Sequence, residues 1–461
     1  MSHHTNNQLS KDSTPFANAF SLEKIVADMN KRATAGVTVK SLTTGKVLYQ
    51  KDANQLYSPA SNMKIITAFA ALKFLGPNFV YQTQLMTDAA NPNPANGVLE
   101  GNLYLKYNGD PTLQLQDINA LFKSLKSRGV NAIAGNLYVD TSRYDNNGIS
   151  PGTDPSDRGY CYGAPVTSAI INHNCVSFKL CPTKIGAPAR IAFPYDVSFS
   201  IVNSVMTRSG KNCRLSLSNG ANSLTINGCV SSQRGPVAIT IPVPSNSGYG
   251  EKAAVKLLAS NGINVQGKTY PTRSTGLNIL LSHNSDPLSA LVLEMMKKSD
   301  NLIANTLFKS VGAKYNQVPA TWKNSGDAVR AVLQKSGVDT AGMVIIDGSG
   351  LSRDNRVTPD QLLQVLSAAY RDSSIADVYL QALPVGGKSG TLKRRLSTKD
   401  IIGKVKAKTG SMHGVSSLSG YVETQSGEML AFSIIVNDFS GGLYPYRALE
   451  DKLCRVLRAV Y

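Results

Sequence analysis

Long apolar runs, tryptophan and repeated segments are largely missing from this chain of 461 residues, and each absence excludes a class of protein. No stretch approaches about 18 consecutive apolar residues, so we expect no membrane-spanning helix. No segment recurs at a solenoid period over three or more units, which argues against a repeat array. The chain has a single Trp, and no run of Lys and Arg is interleaved with aromatic residues, which argues against nucleic-acid binding.

Cysteine is scarce as well, and it lacks the spacing of a metal site. Five of the six Cys residues lie between 161 and 229, the sixth is Cys454, and no Cys-x-x-Cys pair occurs. The five His residues are not at metal-ligand spacing either, so we expect no metal and no cofactor. Clustered cysteines favour disulfides and an oxidising compartment, with buried free thiols as the alternative.

Acidic residues are outnumbered, with 30 Asp and Glu against 48 Lys and Arg, and the formal net charge is +18. Such a chain is drawn to polyanions such as nucleic acid, an anionic membrane surface or an anionic wall polymer. The densest cluster, Lys393-Arg394-Arg395, is short. We therefore expect no nucleic-acid partner and only a loose electrostatic association with a membrane, while a homodimer stays open.

Apolar material is present in sufficient amount for a core, because hydrophobic residues make up 42% and charged residues 17%. This excludes wholesale disorder. The length is that of about three domains, or of one large domain with insertions. The first residues, MSHHTNNQLSKDSTPF, contain no apolar signal core. We expect that a signal has been removed and that residues 1–20 are disordered.

Helical and strand-like periodicities alternate along the chain. In the first part they predict helices at 22–31 and 61–75 and, between them, a strand pair at 36–39 and 47–50. Gly76-Pro77 is a stop signal for the second helix. Helices return at about residue 287, and the chain ends with three predicted strands and a helix, at 403–409, 416–424, 428–437 and 446–459.

Between 86 and 284 short alternating runs replace the helices, and we interpret this part as inserted, strand-rich material. The tetrapeptide Gly-Asn-Leu-Tyr occurs at 101–104 and at 135–138, around a helix predicted at 117–126. This suggests neighbouring strands. Further strands are predicted at 175–180, 198–206, 213–218, 223–227 and 236–243.

Three short motifs stand in order along the chain. Ser61-Asn62-Met63-Lys64 opens the second helix, Ser299-Asp300-Asn301 falls in a break between two helices, and Lys408-Thr409-Gly410 ends a strand and is followed by Ser411. Residues i and i+3 of a helix lie about 5–6 Å apart at Cβ, so the Lys64 amine can reach the Ser61 hydroxyl.

This spacing suits nucleophilic catalysis. A serine is a weak nucleophile until a base removes its proton, and a lysine is such a base only when its pKa is lowered. Burial, or a second cation such as Lys408, would lower the pKa of Lys64. Lys408 could also hold a substrate carboxylate, while Ser299 would relay a proton and Asn301 would orient a substrate amide. Backbone N–H groups of Ser61 and Ser411 would form the oxyanion hole.

Each motif alone is a weak signal. Ser21–Lys24 repeats the first spacing and Lys388-Ser389-Gly390 imitates the third, so an ordinary surface residue is the simpler interpretation of any single match. Neither decoy has a partner motif or the right element around it. The three motifs in order favour the functional interpretation, because together they are typical of β-lactamases and penicillin-binding proteins.

The chain resembles the low-molecular-mass class C penicillin-binding proteins, the D-alanyl-D-alanine carboxypeptidase/endopeptidases of the DacB type, from about residue 20 to residue 461. The likeness extends beyond the three motifs to the long connection between Ser61 and Ser299, which holds two extra domains in this family. It also includes four other segments, 109–113, 162–165, 347–353 and 383–387.

The resemblance implies an α+β protein with the penicillin-binding/transpeptidase fold, which is an antiparallel sheet flanked by helices, here with two inserted strand-rich domains. Residues 20–85 and 285–461 would form the serine acyl-transferase domain. Residues 86–164 would form the first inserted domain, and 165–284 the second, β-rich one.

The implied activity is that of a serine D-alanyl-D-alanine carboxypeptidase and endopeptidase that acts on peptidoglycan stem peptides in the periplasm. It would pass through an acyl-Ser61 intermediate and be inhibited by β-lactams. The matched positions are Ser61 as nucleophile, Lys64 as base, Ser299 and Asn301 for relay and positioning, and Lys408, Thr409, Gly410 and Ser411 for the substrate carboxylate and oxyanion.

The resemblance also implies a pocket for the third residue of the peptide, which we expect to be meso-diaminopimelate. Asp157, Tyr162 and Arg353 fall where the family has an acid, an aromatic residue and a carboxylate-binding Arg. His413 would line the same pocket, and it departs from the Gln that enterobacterial relatives tend to carry. The alternative is that Asp157 and Arg353 are ordinary solvated charges.

Two disulfides are expected, Cys161–Cys175 and Cys213–Cys229. Residues 213–218 and 223–229 have the pattern of a hairpin around Asn219-Gly220, and related chains resemble this one at all four cysteines. Six cysteines allow fifteen pairings, so the sequence alone does not prove these two. Cys181 and Cys454 are left as free thiols.

Two rival functions stay open. A β-lactamase would share the acylation step but needs fast deacylation, usually from a placed carboxylate, and no Glu stands in a suitable motif. A non-catalytic wall-binding or scaffold protein would keep the fold with broken motifs, whereas these motifs are intact. The sequence does not give the balance of carboxypeptidase and endopeptidase activity, the oligomeric state or a partner complex.

Overall fold

A computed structural model of the chain describes residues 14–193, 200–210, 212–219, 223–244 and 248–461. No helix in these ranges is long and apolar enough to cross a membrane. The α-helices of these ranges are α1 Thr14–Met29, α2 Met63–Phe74, α3 Leu115–Ser127, α4 Tyr249–Ser260, α5 Leu288–Lys298, α6 Asn301–Asn316, α7 Trp322–Lys335, α8 Pro359–Arg371, α9 Ala376–Ala382 and α10 Tyr444–Val460.

Strands make up most of the middle of the chain. They are β1 Thr34–Ser41, β2 Val47–Lys51, β3 Gln82–Thr87, β4 Val98–Leu99, β5 Leu103–Lys106, β6 Ala132–Ile133, β7 Leu137–Asp140, β8 Cys175–Cys181, β9 Arg190–Ala192, β10 Ser200–Arg208, β11 Leu215–Asn219, β12 Ser223–Ser231, β13 Val237–Pro242, β14 Asn264–Val265, β15 Thr269–Thr272, β16 Asn278–Asn284, β17 Val405–Met412, β18 Val415–Glu423 and β19 Met429–Asn437.

The two ends of the chain build one antiparallel sheet in the order β17-β18-β19-β1-β2. β1 pairs with β19 over its whole length, from Thr34 opposite Asn437 to Ser41 opposite Leu430. Helices α1 and α10 cover one face, and α2, α8 and their neighbours cover the other. Because both faces are buried, β18 and β19 are nearly continuous apolar or small-residue runs instead of alternating ones.

The sequence-based boundaries of this part are close to those observed, except at the N-terminus. Helix α1 begins at Thr14 instead of residue 22, so residues 14–20 are helical and not disordered as we expected, while residues 1–13 lie outside the described ranges. Leu22, Ile25, Val26 and Met29 are buried and anchor the helix. Once such a turn exists, each residue added to the helix gains a hydrogen bond at low cost.

The first inserted unit is formed by two separate parts of the chain. Its five-stranded sheet has the order β15-β7-β5-β3-β16, and α3 and α4 pack on the same core. Residues 249–284 therefore belong with residues 82–140, and the expected boundary that assigned all of 165–284 to the second inserted domain is wrong. The physical reason is strand pairing, since β15 adds to β7 and β16 to β3.

The tetrapeptide Gly-Asn-Leu-Tyr marks neighbouring strands, as expected. β5 and β7 are parallel and place Tyr104 beside Tyr138, and β15 continues the row with Tyr270. The third strand carries Gly267-Lys268-Thr269-Tyr270, a divergent copy that the sequence analysis missed. Three adjacent parallel strands therefore end at the same edge of the sheet.

A second, β-rich unit is nested inside the first and consists of two three-stranded sheets, β13-β8-β9 and β10-β12-β11. Strand β10 begins at Ser200, and the predicted residues 198–199 lie outside the described ranges, as does the predicted turn at Gly220. Residues 141–174 do not belong to a domain core of their own. Four of their buried side chains, Tyr144, Ala164, Val166 and Ile170, pack on the core of the helical part, whereas Ala169 and Ile171 pack on the core of the first inserted unit.

Candidate active site

Ser61 lies in a tight 3₁₀ turn, Ala60–Asn62, directly before α2. Ala60 has a positive φ of 46°, and Gly350, with a φ of 84°, packs so closely that a Cβ there would lie 1.8 Å from the Ala60 carbonyl oxygen. On the other side, a Cβ on Gly410 would lie 3.0 Å from the Ser61 nitrogen. Two glycines thus allow two backbone segments to enclose the serine.

Lys64 is wholly buried and points back to Ser61. Its Nζ lies 2.9 Å from Ser61 Oγ, 2.7 Å from Asn301 Oδ1 and 2.8 Å from the Ser349 carbonyl oxygen. The first motif is therefore joined to the second through Asn301. Burial lowers the pKa of Lys64 to about 7, although the nearby carboxylates of Asp347 and Asp300 oppose the shift.

Lys408 belongs to the same cluster and is equally buried. Its Nζ donates to Ser299 Oγ at 2.8 Å and to the Thr409 carbonyl oxygen at 2.7 Å. The pKa of Lys408 lies well below its usual range, first because of burial and second because of repulsion from Lys64. Burial is the first cause of the lowered pKa of both lysines, and their mutual repulsion lowers the pKa of Lys408 and not, as we expected, that of Lys64.

The second motif forms the junction of α5 and α6. Ser299 ends α5 with a φ of 58°, and the Asp300 side chain caps α6 by accepting from the Ile303 N–H at 2.8 Å. This break turns Ser299 toward Lys408 and places Asn301 at the start of α6. Asn301 Nδ2 also donates to the Tyr162 carbonyl oxygen at 3.0 Å, which brings residues 141–174 to the edge of the site.

The third motif lies on β17, next to the turn that carries Ser61. Thr409 Oγ1 is 2.7 Å from Thr391 Oγ1, and Arg447 Nη2 donates to Ser411 Oγ at 3.3 Å. Strand β18 supports the arrangement from behind, since Ser417 Oγ donates to the Pro59 carbonyl oxygen and Asn62 Nδ2 donates to Ser419 Oγ, both at 2.9 Å. All seven expected catalytic residues thus lie in one cluster.

The residues expected to form the side-chain pocket make contacts in two groups. Asp157 accepts a hydrogen bond from Tyr162 Oη at 2.9 Å, whereas Arg353 faces Asp154, with Nε 3.5 Å from Oδ2. Arg353 also approaches the His413 carbonyl oxygen at 3.5 Å. Tyr162 is half-exposed and its ring stacks on Tyr160, with centroids 5.4 Å apart.

Several residues that shape the site were not singled out from the sequence. The buried Asp347 accepts from the N–H groups of Gly350 and Ser352, both at 2.8 Å, and so bends the loop that presents the Ser349 carbonyl to Lys64. Asn305 Oδ1 holds the same loop through the Ser349 N–H at 2.9 Å. The signal for Asp347 was available, because it opens a segment that carries the family resemblance.

The cysteines pair as we expected from the sequence. Disulfides join Cys161 to Cys175 and Cys213 to Cys229, and Cys181 and Cys454 are free. The first bridge lies one residue before Tyr162, so it fixes the segment whose carbonyl binds Asn301. In the described part of the chain, no three His, Cys, Asp or Glu side chains come together as a metal site.

A serine hydroxyl beside a buried amine of lowered pKa is an activated nucleophile. On this fold, with Ser-x-x-Lys, Ser-x-Asn and Lys-Thr-Gly around one cleft, it defines the class of penicillin-recognising serine enzymes. Within that class, the chain belongs to the D-Ala-D-Ala carboxypeptidase 3 (S13) family, whose sequence profile matches residues 18–454. It is a serine-type D-Ala-D-Ala carboxypeptidase and a penicillin-binding protein.

Individual relatives agree with this assignment. The chain is 30% identical to the D-alanyl-D-alanine carboxypeptidase DacB of Haemophilus influenzae, over 97% of this chain and 94% of that protein. The crystal structure of penicillin-binding protein 4 from the same organism superposes with a TM-score of 0.84 at 29% identity, covering 94% of this chain and 97% of that one. A second structure of that protein, in complex with a novel β-lactam, superposes with a TM-score of 0.80 at 29% identity, covering 94% and 98%.

Proposed function

We propose that the enzyme works through an acyl-Ser61 intermediate. Ser61 Oγ attacks the carbonyl carbon of the penultimate D-Ala, terminal D-Ala leaves with its amine protonated, and water then hydrolyses the ester to restore the serine. The observation that carries this proposal is the 2.9 Å contact between Ser61 Oγ and the buried Nζ of Lys64. Asn301 and Ser349 supply carbonyl oxygens for two N–H bonds of a neutral amine, which leaves its lone pair for the Ser61 proton.

The other residues have roles that follow from their contacts. Lys408 donates to Ser299 beside Thr409 and Ser411, where the terminal carboxylate of the substrate would bind. The negative charge of that carboxylate would favour the protonated form of Lys408 and so oppose the effect of burial on its pKa. Ser299, whose Oγ accepts from Lys408 Nζ, would pass a proton to the leaving amine. The close approach of Gly410 to the Ser61 nitrogen supports an oxyanion hole made by the N–H groups of Ser61 and Ser411.

Inhibition by β-lactams follows from the same chemistry, since the strained amide would acylate Ser61. The β-lactam complex of the Haemophilus influenzae protein supports this part of the proposal. The β-lactamase alternative needs a carboxylate free to activate water. Asp347 and Asp300 are the two acids whose charge acts on the pKa of Lys64, and both instead accept hydrogen bonds from backbone N–H groups. We therefore expect a long-lived penicilloyl enzyme.

The natural substrate that we propose is a peptidoglycan stem peptide with meso-diaminopimelate at its third position, cut both as a carboxypeptidase and as an endopeptidase at the D-Ala to diaminopimelate cross-link. The free end of diaminopimelate carries an ammonium and a carboxylate. Arg353 would bind the carboxylate, and Asp154 or Asp157 would bind the ammonium. Tyr162 and His413 would contact the aliphatic part of the diaminopimelate side chain. Asp154 is added to the sequence-based set because it is the acid that meets Arg353.

We also propose a periplasmic location, because the two disulfides suit an oxidising compartment. The net charge of +18 favours loose attachment to an anionic membrane surface or wall polymer there. Sedimentation with anionic vesicles at low and high salt tests the attachment.

Intact-protein mass spectrometry with a fluorescent penicillin, followed by peptide mapping, tests the acyl-enzyme. We expect one penicilloyl group on the peptide that contains Ser61, with a lifetime of hours. A label on another residue would refute the assignment of the nucleophile, and turnover within milliseconds would favour a β-lactamase.

A further inference from the structure

A basic cavity of about 430 Å³ lies between the first inserted unit and the carboxyl end of α6, and it shares no residue with the catalytic site. Lys106 ends β5, Arg143 follows β7, and Arg273 follows β15, and all three line the cavity. These strands are parallel neighbours, so their carboxyl ends meet at one edge of the sheet. In sheets with parallel strands, that edge is where ligands bind.

The charged side chains that line the cavity are all positive. They are Lys106, Arg143, Arg273 and Lys314, and no Asp or Glu is found among the described residues of the lining. Lys314 donates one bond to the Phe74 carbonyl oxygen at 3.3 Å, which leaves two of its three donors. The buried Nε of Arg143 has no hydrogen-bond partner in the described part of the chain. An anion in the cavity would relieve the repulsion among these four cations.

The buried carboxylate of Asp140 accepts hydrogen bonds from the loops that carry Arg143 and Arg273. Its Oδ1 accepts from the N–H and Oγ of Ser142 at 2.9 and 2.7 Å, and its Oδ2 accepts from the N–H and Oγ of Ser274 at 2.8 and 2.5 Å. Arg143 and Arg273 adjoin these serines in sequence. Lys106 Nζ lies 3.9 Å from Asp140 Oδ2. The cations are therefore held in place by a buried hydrogen-bond network, unlike a chance group of solvated side chains.

We propose that this cavity binds a small phosphate-bearing ligand, such as a diphosphate or a phosphate ester. Guanidinium groups bind phosphate oxygens through paired hydrogen bonds, and lysines add point charges. A phosphate group carries a charge of about −1.5 to −2 at pH 7, so two of them match the three cations that remain once Lys106 is paired with Asp140. The bound ligand contacts the inserted unit and α6 together and ties the two parts of the molecule to each other. The proposal does not depend on the acyl-enzyme mechanism.

Isothermal titration of the full chain with pyrophosphate at low ionic strength tests this site. Arg273→Gln is expected to weaken binding at least about tenfold, because charge-assisted hydrogen bonds are lost. Arg273→Lys keeps the charge but lacks the paired donors, so its affinity for pyrophosphate is expected to lie between those of the wild type and of Arg273→Gln. Lys268→Gln is the matched control, since this exposed residue loses the same charge at the opposite end of β15. It is expected to bind pyrophosphate as the wild type does.

Release of D-Ala serves as the folding control and is expected to be unchanged in all three variants, none of which touches the catalytic site. Absence of pyrophosphate binding to the wild type would overturn the proposal. Equal weakening by Arg273→Gln and Lys268→Gln would also overturn it, because attraction by net charge would then explain the binding. Citrate binding as tight as that of pyrophosphate would contradict the assignment to phosphate.

Discussion

At the scale of single residues, Ser61 is exchangeable for alanine without damage to its surroundings, because its side chain is only partly buried and its turn is held by neighbours. We predict that Ser61→Ala abolishes both penicillin labelling and D-Ala release. The fold should persist, with a cost of about 1 kcal/mol in unfolding free energy from the lost hydrogen bond with Lys64. Ser21→Ala, in the decoy motif, is the control and should label normally. A Ser61→Ala enzyme that still takes up the label would rule out Ser61 as the nucleophile.

The lowered pKa of Lys64 predicts how the acylation rate and the stability of the enzyme depend on pH. A base must be unprotonated, so the rate of acylation by benzylpenicillin should rise with pH through about 7, where the folded-state pKa of Lys64 lies. The same pKa shift determines whether the unfolding free energy rises or falls with pH. The unfolded chain binds this proton more tightly, so unfolding free energy should rise with pH between about 7 and the ordinary lysine pKa.

Lys64→Arg is predicted to be nearly inactive over the whole pH range, because an arginine stays protonated. Stopped-flow acylation rates of both enzymes between about pH 5 and 9 provide the measurement. Since Lys64 and Lys408 repel each other, the observed midpoint belongs to the pair. A flat profile, or an Arg variant that acylates at a rate close to the wild type, would contradict the base role.

The side-chain pocket predicts a separation between two substrates. Asp157→Ala or Arg353→Ala should reduce turnover of diaminopimelate-containing muropeptides by about tenfold or more, because one partner of a shielded charge pair is lost. Acylation by benzylpenicillin, which lacks that side chain, should stay almost unchanged. Equal losses on the two substrates would mean that these residues support the fold or the chemistry, and not specificity.

At the scale of elements, the turn before α2 depends on glycine in the neighbouring loop. Gly350→Ala would place a methyl group 1.8 Å from the Ala60 carbonyl oxygen, so the turn that carries Ser61 must move. We predict a fall of about 100-fold in acylation rate, the usual consequence of a displacement of about 1 Å at a reacting atom.

Gly342→Ala is the matched control for this prediction. Gly342 also has a positive φ, 71°, but the nearest atom to its Cβ position lies 3.6 Å away, on Leu56. Both variants should lose about 1–2 kcal/mol of stability from the left-handed backbone. Only Gly350→Ala should lose activity, and equal acylation rates in the two variants would show that the contact with Ala60 does not matter.

At the scale of the whole molecule, the two disulfides close loops of similar length in different places. Their sequence separations are 14 and 16 residues, so each should contribute about 3 kcal/mol by restricting the unfolded chain. Only Cys161–Cys175 adjoins Tyr162, which binds Asn301. We predict that replacing either pair by serine lowers stability similarly, whereas only Cys161→Ser/Cys175→Ser reduces D-Ala release. Urea unfolding and product release measure the two effects, and a loss of activity in the Cys213→Ser/Cys229→Ser enzyme would contradict the distinction.

The sequence by itself determined those features that depend on local spacing. The i, i+3 relation of Ser61 and Lys64, the strands at the C-terminal end and the break between α5 and α6 follow from periodicity and from stop signals, which act over a few residues. The three motifs in order, together with the family resemblance that they share with four other segments, predicted the fold class and the set of catalytic residues, which the structure brings into one cluster.

Only the tertiary structure decided what depends on contacts between distant segments. The pairing of β15 with β7 moved residues 249–284 into the first inserted unit, and the only local sign of it is the divergent tetrapeptide at 267–270. Likewise, the contact between Arg353 and Asp154 joins two loops that are far apart in the chain, and no local spacing indicates it. The pKa of Lys64 was decided in the same way, since it is lowered by burial under segments that lie hundreds of residues apart in the chain.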